Sequence, residues 1–127
     1  MQDFLRSRIA SFGHAFRGWW YVLRTQKNAW IHAFISTAVI IAALWLKISA
    51  HDWATLVIVI AMVWSAEFFN TSIEAVVDLA SPAHHPLAKV GKDVGAAAVL
   101  IAAGAAVIVG LLILGPPLWE WVLATFF

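Results

Sequence analysis

The chain has 127 residues, of which 63% are hydrophobic and 12% charged, with a net charge of +1 and no cysteine. Soluble chains are roughly 45–50% apolar, and a soluble domain of this length has too little interior to bury the excess. We therefore predict a membrane protein with a single domain, 1–127, without disulfides, thiolate metal sites or cysteine nucleophiles, and with no nucleic-acid partner.

The first predicted element is an amphipathic helix over about 4–24. Apolar residues recur there at intervals of three or four positions, which is helical spacing, and Arg6, Arg17 and Arg24 cluster to one side. Such a helix is suited to lie in the membrane interface with its aromatic side chains at the acyl boundary. The N-terminus lacks the pattern of a short apolar core and a small-residue cleavage site, so we expect no removable signal peptide.

Three membrane-spanning helices are predicted to follow, over about 29–47, 53–78 and 94–114. Each contains a long uncharged stretch, and the first and third approach the ~20 residues needed to cross a bilayer. Trp30 and Trp45 lie near the two ends of the first span, as expected for aromatic belts. The resulting fold class is an all-α membrane protein with three transmembrane helices and one interfacial helix.

The boundaries of the spans depend on proline, glycine and capping residues. Asn28 is a candidate N-cap for the first span. The polar connection 80–91 contains two prolines, which disfavour helix in the residue before them. Gly115, Pro116 and Pro117 are expected to end the third span. Within that span, small residues at four-residue spacing form a ridge that favours close approach of helices. The ridge comprises Ala98, Ala102, Ala106 and Gly110 and continues from Gly91 and Gly95.

Positive charge is distributed unevenly between the two sides of the predicted spans. Lys47 lies on one side. The other side holds Arg6, Arg8, Arg17, Arg24, Lys27, Lys89 and Lys92. The positive-inside rule therefore predicts a cytoplasmic N-terminus, with the 80–91 connection on the same side.

Polar residues interrupt the second span at regular intervals. Glu67, Asn70, Glu74 and Asp78, which we call the acidic row, are spaced so that they share one face of a helix. At 1.5 Å per residue, Glu67 lies about 21 Å and Glu74 about 31 Å from Trp53, near the cytoplasmic boundary of the bilayer. Polar contact between helices is the plainer interpretation, but ionisable groups in a membrane are costly and indicate a functional site.

The chemistry of this region is typical of phosphoryl transfer. Carboxylates suit Mg²⁺, which usually binds one or two of them together with substrate phosphates. Lys92 offers a compact positive charge for a phosphate, and a desolvated Glu67 is suited to act as a general base. Together these features predict transfer from a nucleotide to an acceptor in the membrane, although the motifs of soluble kinases are missing.

A different class of function is also compatible with three short spans and a row of carboxylates. Such a chain could assemble into an oligomer that conducts protons or cations. Conducting pathways usually carry ionisable groups toward the midplane of the membrane. Because the acidic row lies near one interface instead, we favour an enzyme.

The polar pattern of the chain resembles the small prokaryotic diacylglycerol kinase and undecaprenol kinase family. The resemblance rests on the acidic row, then His85-x-Leu87, then Lys92-Asp93 followed by Ala97, Ala98 and Val99. It implies a three-span homotrimer in the bacterial inner membrane, with active sites shared between subunits. It also implies ATP with Mg²⁺ as the phosphoryl donor system and a lipid alcohol as the acceptor.

The resemblance further implies roles for individual residues. Glu67 is the expected catalytic carboxylate, with Asn70 and Asp78 in support, and Glu74 is the expected metal ligand. The nucleotide is expected near Glu74, His85, Lys92 and Asp93, with His14, Gln26 and His84 as further candidates. Gln26 occupies the position at which family members have a second metal-ligating glutamate. The S-P-x-x-H-P-L-A-K connection favours undecaprenol over diacylglycerol as acceptor. For His32 and His51 we expect only partial burial or solvation.

Overall fold

The computed structural model describes residues 1–83 and 85–126, which form four α-helices. In chain order these are α1 (Gln2–Thr25), α2 (Lys27–Leu46), α3 (Ala50–Ala80) and α4 (Pro86–Phe126). Within the described residues, α2, α3 and α4 are long and apolar enough to cross a membrane. The predicted all-α membrane protein with one N-terminal helix and three spans is therefore confirmed.

A tight turn reverses the chain between α2 and α3. Lys47 adopts the left-handed conformation, with φ of 52°, at the end of α2. Ser49 is the N-cap of α3, and its Oγ accepts a hydrogen bond of 3.2 Å from the backbone N–H of Asp52. Asp52 in the first turn also complements the positive end of the helix dipole. These local interactions make α2 and α3 antiparallel neighbours.

A single extended residue, Gln26, separates α1 from α2. Its φ is −103° and its ψ is 116°, so α2 begins at Lys27. The prediction that Asn28 caps this helix is therefore wrong, because Asn28 already lies within the first turn. The joint places the side chain of Gln26 at the C-terminal end of α1, and this position becomes important for the site.

Helix α4 is longer than predicted at both ends. Proline at a first helical position costs no hydrogen bond, because the first N–H groups of a helix lack partners in any case, so α4 begins at Pro86. Pro116 and Pro117 do not end the helix, which continues to Phe126. Proline removes one hydrogen bond but keeps a helical φ, and membrane helices tolerate it. The rings of Trp121 and Trp45 lie 4.7 Å apart, so the extension is held against α2.

Helices α3 and α4 form the most extensive contact of the bundle. Gly95 is buried there against Asn70, and a Cβ atom at this position would collide with the side-chain oxygen of Asn70. Gly91 similarly faces Val77. Ala98, in contrast, is exposed. Gly91 and Gly95 of the predicted ridge therefore serve packing within the chain, and Gly95 allows α4 to approach the acidic row.

Candidate active site

The acidic row passes from the interior of the bundle to its surface. Glu67 is 1% exposed and Asn70 is 7% exposed, whereas Glu74 is half-buried and Asp78 is exposed. All four residues lie on α3, as their spacing predicts. The structure thus gives the carboxylates distinct environments: Glu67 is shielded from water, and Asp78 is accessible to a water-soluble ligand.

Amide side chains contact both oxygens of Glu74. Asn70, one turn earlier on α3, donates its Nδ2 to Oε1 of Glu74 at 3.1 Å. Gln26 donates its Nε2 to Oε2 of Glu74 at 3.3 Å. The joint between α1 and α2 therefore lies directly beside the acidic row. The side chain of Gln26 contacts Glu74, the residue that the resemblance implies as the other metal ligand.

A second contact between α2 and α3 lies deeper in the bundle. His32 Nε2 is 3.7 Å from Oε2 of Glu67, which is too far for a hydrogen bond. Among the described residues, both atoms are buried and have no hydrogen-bond partner, and the same is true of Oδ1 of Asn70. A buried polar group without a partner costs roughly 1–3 kcal/mol, so three together need an explanation.

The sequence alone did not assign His32 to the site. A comparison of distances along α2 and α3 could have indicated it. Gln26 and His32 are separated by about 9 Å along α2, and Glu74 and Glu67 by about 10.5 Å along α3. Two antiparallel helices that pair Gln26 with Glu74 therefore place His32 at about the same level as Glu67. The signal depends on knowing the register between the helices.

A cluster of aromatic rings joins α1 to α3 near Glu67. Trp64 and Phe68 flank Glu67 along α3, and the ring of Trp19 from α1 lies 4.8 Å from Trp64 and 4.9 Å from Phe68. The ring of His32 lies 6.4 Å from Trp64. Helix α1 is thus anchored on α3 beside Glu67. Trp19 and Trp64 contact each other, which their sequence context did not predict, although Trp19 remains exposed.

An open cavity of about 670 Å³ lies at the exposed end of the acidic row. Four predicted residues line it: Asp78, His85, Lys92 and Asp93. Lys92 Nζ lies 2.6 Å from Oδ1 of Asp78, which joins α4 to α3. Lys89, which we had not predicted, also lines the cavity and pairs with Asp93 at 2.8 Å. The i,i+4 spacing of Lys89 and Asp93 was visible in the sequence.

One further candidate, His14, is not brought to this cavity. His14 is exposed on α1 and accepts a hydrogen bond of 2.7 Å from Arg17. It does not line the cavity. His84 lies outside the described residues.

The fit of a magnesium ion depends mainly on Glu74. Residues 1–83 and 85–126 contain no cluster of three or more His, Asp or Glu side chains able to hold a metal. Mg²⁺ usually binds one or two carboxylates together with substrate phosphates, so a larger cluster is not required. The amide of Gln26 already contacts Glu74, and a half-turn of that amide presents its oxygen instead. Glu74 with Gln26 therefore fits a site of this kind.

Comparisons with known proteins agree with the resemblance. The model of the family described as prokaryotic diacylglycerol kinase matches residues 13–114. The undecaprenol kinase of Bacillus subtilis is 43% identical over 108 residues, covering 85% of this chain and 88% of that protein. A diacylglycerol kinase of Synechocystis sp. is 46% identical over 111 residues, covering 87% of this chain and 63% of that protein. The diacylglycerol kinase of Escherichia coli is 36% identical over 101 residues, covering 74% of this chain and 83% of that protein.

Proposed function

The chain belongs to the prokaryotic diacylglycerol kinase family and is a membrane lipid kinase, and from this premise we propose that it transfers the γ-phosphoryl group of ATP to undecaprenol. The observation that carries the proposal is the environment of the acidic row. Glu67 is buried within the bundle, whereas Asp78 and Lys92 lie at an open cavity. A lipid hydroxyl can approach the first, and a nucleotide the second.

Glu67 acts as the general base in the proposed reaction. Its carboxylate takes the proton of the lipid hydroxyl, and the hydroxyl oxygen forms a bond to the γ-phosphorus. The bond from that phosphorus to the oxygen bridging it to the β-phosphate breaks, and ADP leaves with the electron pair. Because the transferred group carries most of the charge, positioning and charge neutralisation provide most of the catalysis. Asn70 supports the site by holding Glu74 through its 3.1 Å hydrogen bond.

The open cavity is the proposed nucleotide site. Lys89 and Lys92 both line this cavity beside His85. Each is paired with a carboxylate of the cavity wall, Asp93 or Asp78, and would turn to the polyphosphate when the nucleotide binds. Glu74, with Gln26 as a second and uncharged ligand, would hold Mg²⁺ between this cavity and Glu67. The ion would neutralise charge on the phosphates of the donor. His14 and His84 remain candidates for contact with the nucleotide.

The proposal of a lipid acceptor is supported by a second, apolar cavity of about 370 Å³. It extends among α2, α3 and α4 from His32 to Leu118, and Ala106 and Gly110 form part of its wall. A hydrocarbon chain fits such a lining. The choice of undecaprenol rests on the connection between α3 and α4 and on similarity to the Bacillus subtilis undecaprenol kinase. Diacylglycerol is the second candidate, because the other relatives act on it by name.

The proposed setting is the bacterial inner membrane, with the N-terminus and the nucleotide cavity facing the cytoplasm. The excess of basic residues on this side supports the orientation. We also propose a homotrimer. Large apolar side chains on all three spans are exposed in one subunit, among them Phe34 and Leu100, and His14 is exposed on α1 away from the cavity of its own chain. A conducting oligomer is disfavoured, since relatives are kinases.

A phosphorylation assay tests the function directly. Purified protein receives ATP, Mg²⁺ and either undecaprenol or diacylglycerol in mixed micelles, and Glu67→Gln protein serves as the matched inactive control. We expect transfer to undecaprenol by the wild type alone. Robust transfer to diacylglycerol with none to undecaprenol would reverse the choice of acceptor. Transfer to neither lipid would remove support for the proposed reaction.

A further inference from the structure

His32 lies buried beside Glu67, and a role of Glu67 as general base does not by itself explain why a histidine is placed there. We infer that His32 is a further catalytic residue, which donates its Nε2 hydrogen to the same acceptor hydroxyl that Glu67 deprotonates. The inference rests on the proposed function and adds a second protein contact to the reacting oxygen.

Two atoms of this pair, Oε2 of Glu67 and Nε2 of His32, lack hydrogen-bond partners among the described residues. Oε2 of Glu67 accepts hydrogen bonds, and Nε2 of His32 donates one when it carries hydrogen. Both are buried without a partner among the described residues, across a gap of 3.7 Å. Hydrogen bonds of these types are about 2.7–3.0 Å long. One oxygen atom can therefore lie within reach of both groups and satisfy both.

A hydroxyl group has the required bonding capacity. It donates one hydrogen bond, here to Glu67, and accepts through two lone pairs, one of which receives the N–H of His32. The remaining lone pair is free to attack the γ-phosphorus. As the proton passes to Glu67, negative charge develops on the oxygen, and the N–H of His32 is already directed at it. A donor aimed at developing charge in a site without water is an effective form of catalysis.

The surroundings of His32 allow a lipid hydroxyl to arrive there. His32 lines the apolar cavity of about 370 Å³, so it borders both the proposed chain site and Glu67. Helix α4 faces it with uncharged residues such as Ala103 and Ala106, and α3 contributes Trp64, whose other neighbour is Trp19 of α1. Within the described residues, Glu67 is the charged group paired with His32, and Glu74 is the next carboxylate along α3.

Three variants of the full-length protein test the inference in mixed micelles. His32→Leu keeps the bulk of the side chain but removes the donor, and His32→Gln restores a donor at the corresponding position. Thr37→Ala is the matched control, because Thr37 lies close to His32 on α2 but is exposed and does not line that cavity. The measurements are kcat, KM for lipid, KM for ATP, and the thermal unfolding midpoint.

We expect His32→Leu to lower kcat roughly 10²-fold or more, as for loss of one donor to a developing oxyanion, with an unchanged KM for ATP. His32→Gln should recover at least part of that loss, and Thr37→Ala should resemble the wild type. Adding His32→Leu to Glu67→Gln should cost much less than it costs alone, because both residues act on one hydroxyl.

Several results would overturn the inference. An active wild type with an equally active His32→Leu variant would refute it and leave the proposed function intact. Equal losses in His32→Leu and His32→Gln, with lowered unfolding midpoints, would assign His32 a structural role instead. Fully additive losses in the double variant would also refute a shared hydroxyl. A wild type that transfers phosphate to neither lipid would refute both proposals together.

Discussion

The replacement of Gly95 by alanine tests how the packing of α4 supports the acidic row. Gly95 is buried where α4 crosses α3, and an added Cβ would collide with Oδ1 of Asn70 and contact its Cα at 3.8 Å. Asn70 has little freedom to move away, because its Nδ2 donates to Glu74 at 3.1 Å. Gly104→Ala is the matched control on the same helix, since a Cβ there meets nothing within 4 Å.

The expected magnitude follows from two opposing terms. Overpacking at a close contact costs about 1–3 kcal/mol, and loss of the hydrogen bond between Asn70 and Glu74 adds about 1 kcal/mol if the side chain swings away. Both alanine variants gain helix propensity of at most about 1 kcal/mol over glycine. The propensity gain is common to both variants and cancels, so Gly95→Ala should be less stable than Gly104→Ala by about 1–4 kcal/mol.

Thermal unfolding in one detergent, together with the Mg²⁺ dependence of the kinase rate, measures both consequences. The Gly95→Ala midpoint should fall at least about 3 °C below that of Gly104→Ala. The Mg²⁺ concentration for half-maximal rate should rise, because Glu74 loses a partner that orients it. Equal midpoints and equal Mg²⁺ dependence in the two variants would refute the close contact between Gly95 and Asn70.

Further predictions concern the remaining parts of the site and the topology. Glu67→Gln should cut turnover by roughly 10²–10⁴-fold while ATP binding, measured by equilibrium dialysis, is kept; a joint loss would argue against a general base. Gln26→Glu should lower the Mg²⁺ concentration for half-maximal rate, and an unchanged value would mean that this position does not meet the metal. Lys92→Met should weaken ATP affinity several-fold relative to the exposed control Lys27→Met, and equal affinities would exclude Lys92 from the nucleotide site. Single cysteines at Ser7, Ser81 and Thr125 should react with an impermeant reagent in intact cells only at Thr125; rapid labelling at Ser81 but not Thr125 would overturn the orientation.

Local features of the sequence were enough to predict the helices and the shared helix face of the acidic row. Hydropathy over about 20 residues and the 3.6-residue period are properties of a single segment, so α2 and α3 were predicted nearly to their ends. The same period placed Glu67, Asn70, Glu74 and Asp78 on one face of α3. The ends of α4 were predicted less well, because the effect of Pro116 and Pro117 depends on whether neighbouring helices hold the chain beyond them. The contact between Trp45 and Trp121 supplies that support.

Contacts between helices were decided only by the tertiary structure. The pairing of Gln26 with Glu74 and the approach of His32 to Glu67 depend on the register of two antiparallel helices. That register is set by the turn after Lys47 and by the joint at Gln26. Burial likewise separates the roles of residues that share one face, since Glu67 is enclosed and Asp78 is exposed. A sequence lists the donors and acceptors of a site, but the distances that pair them arise only when separate helices pack together.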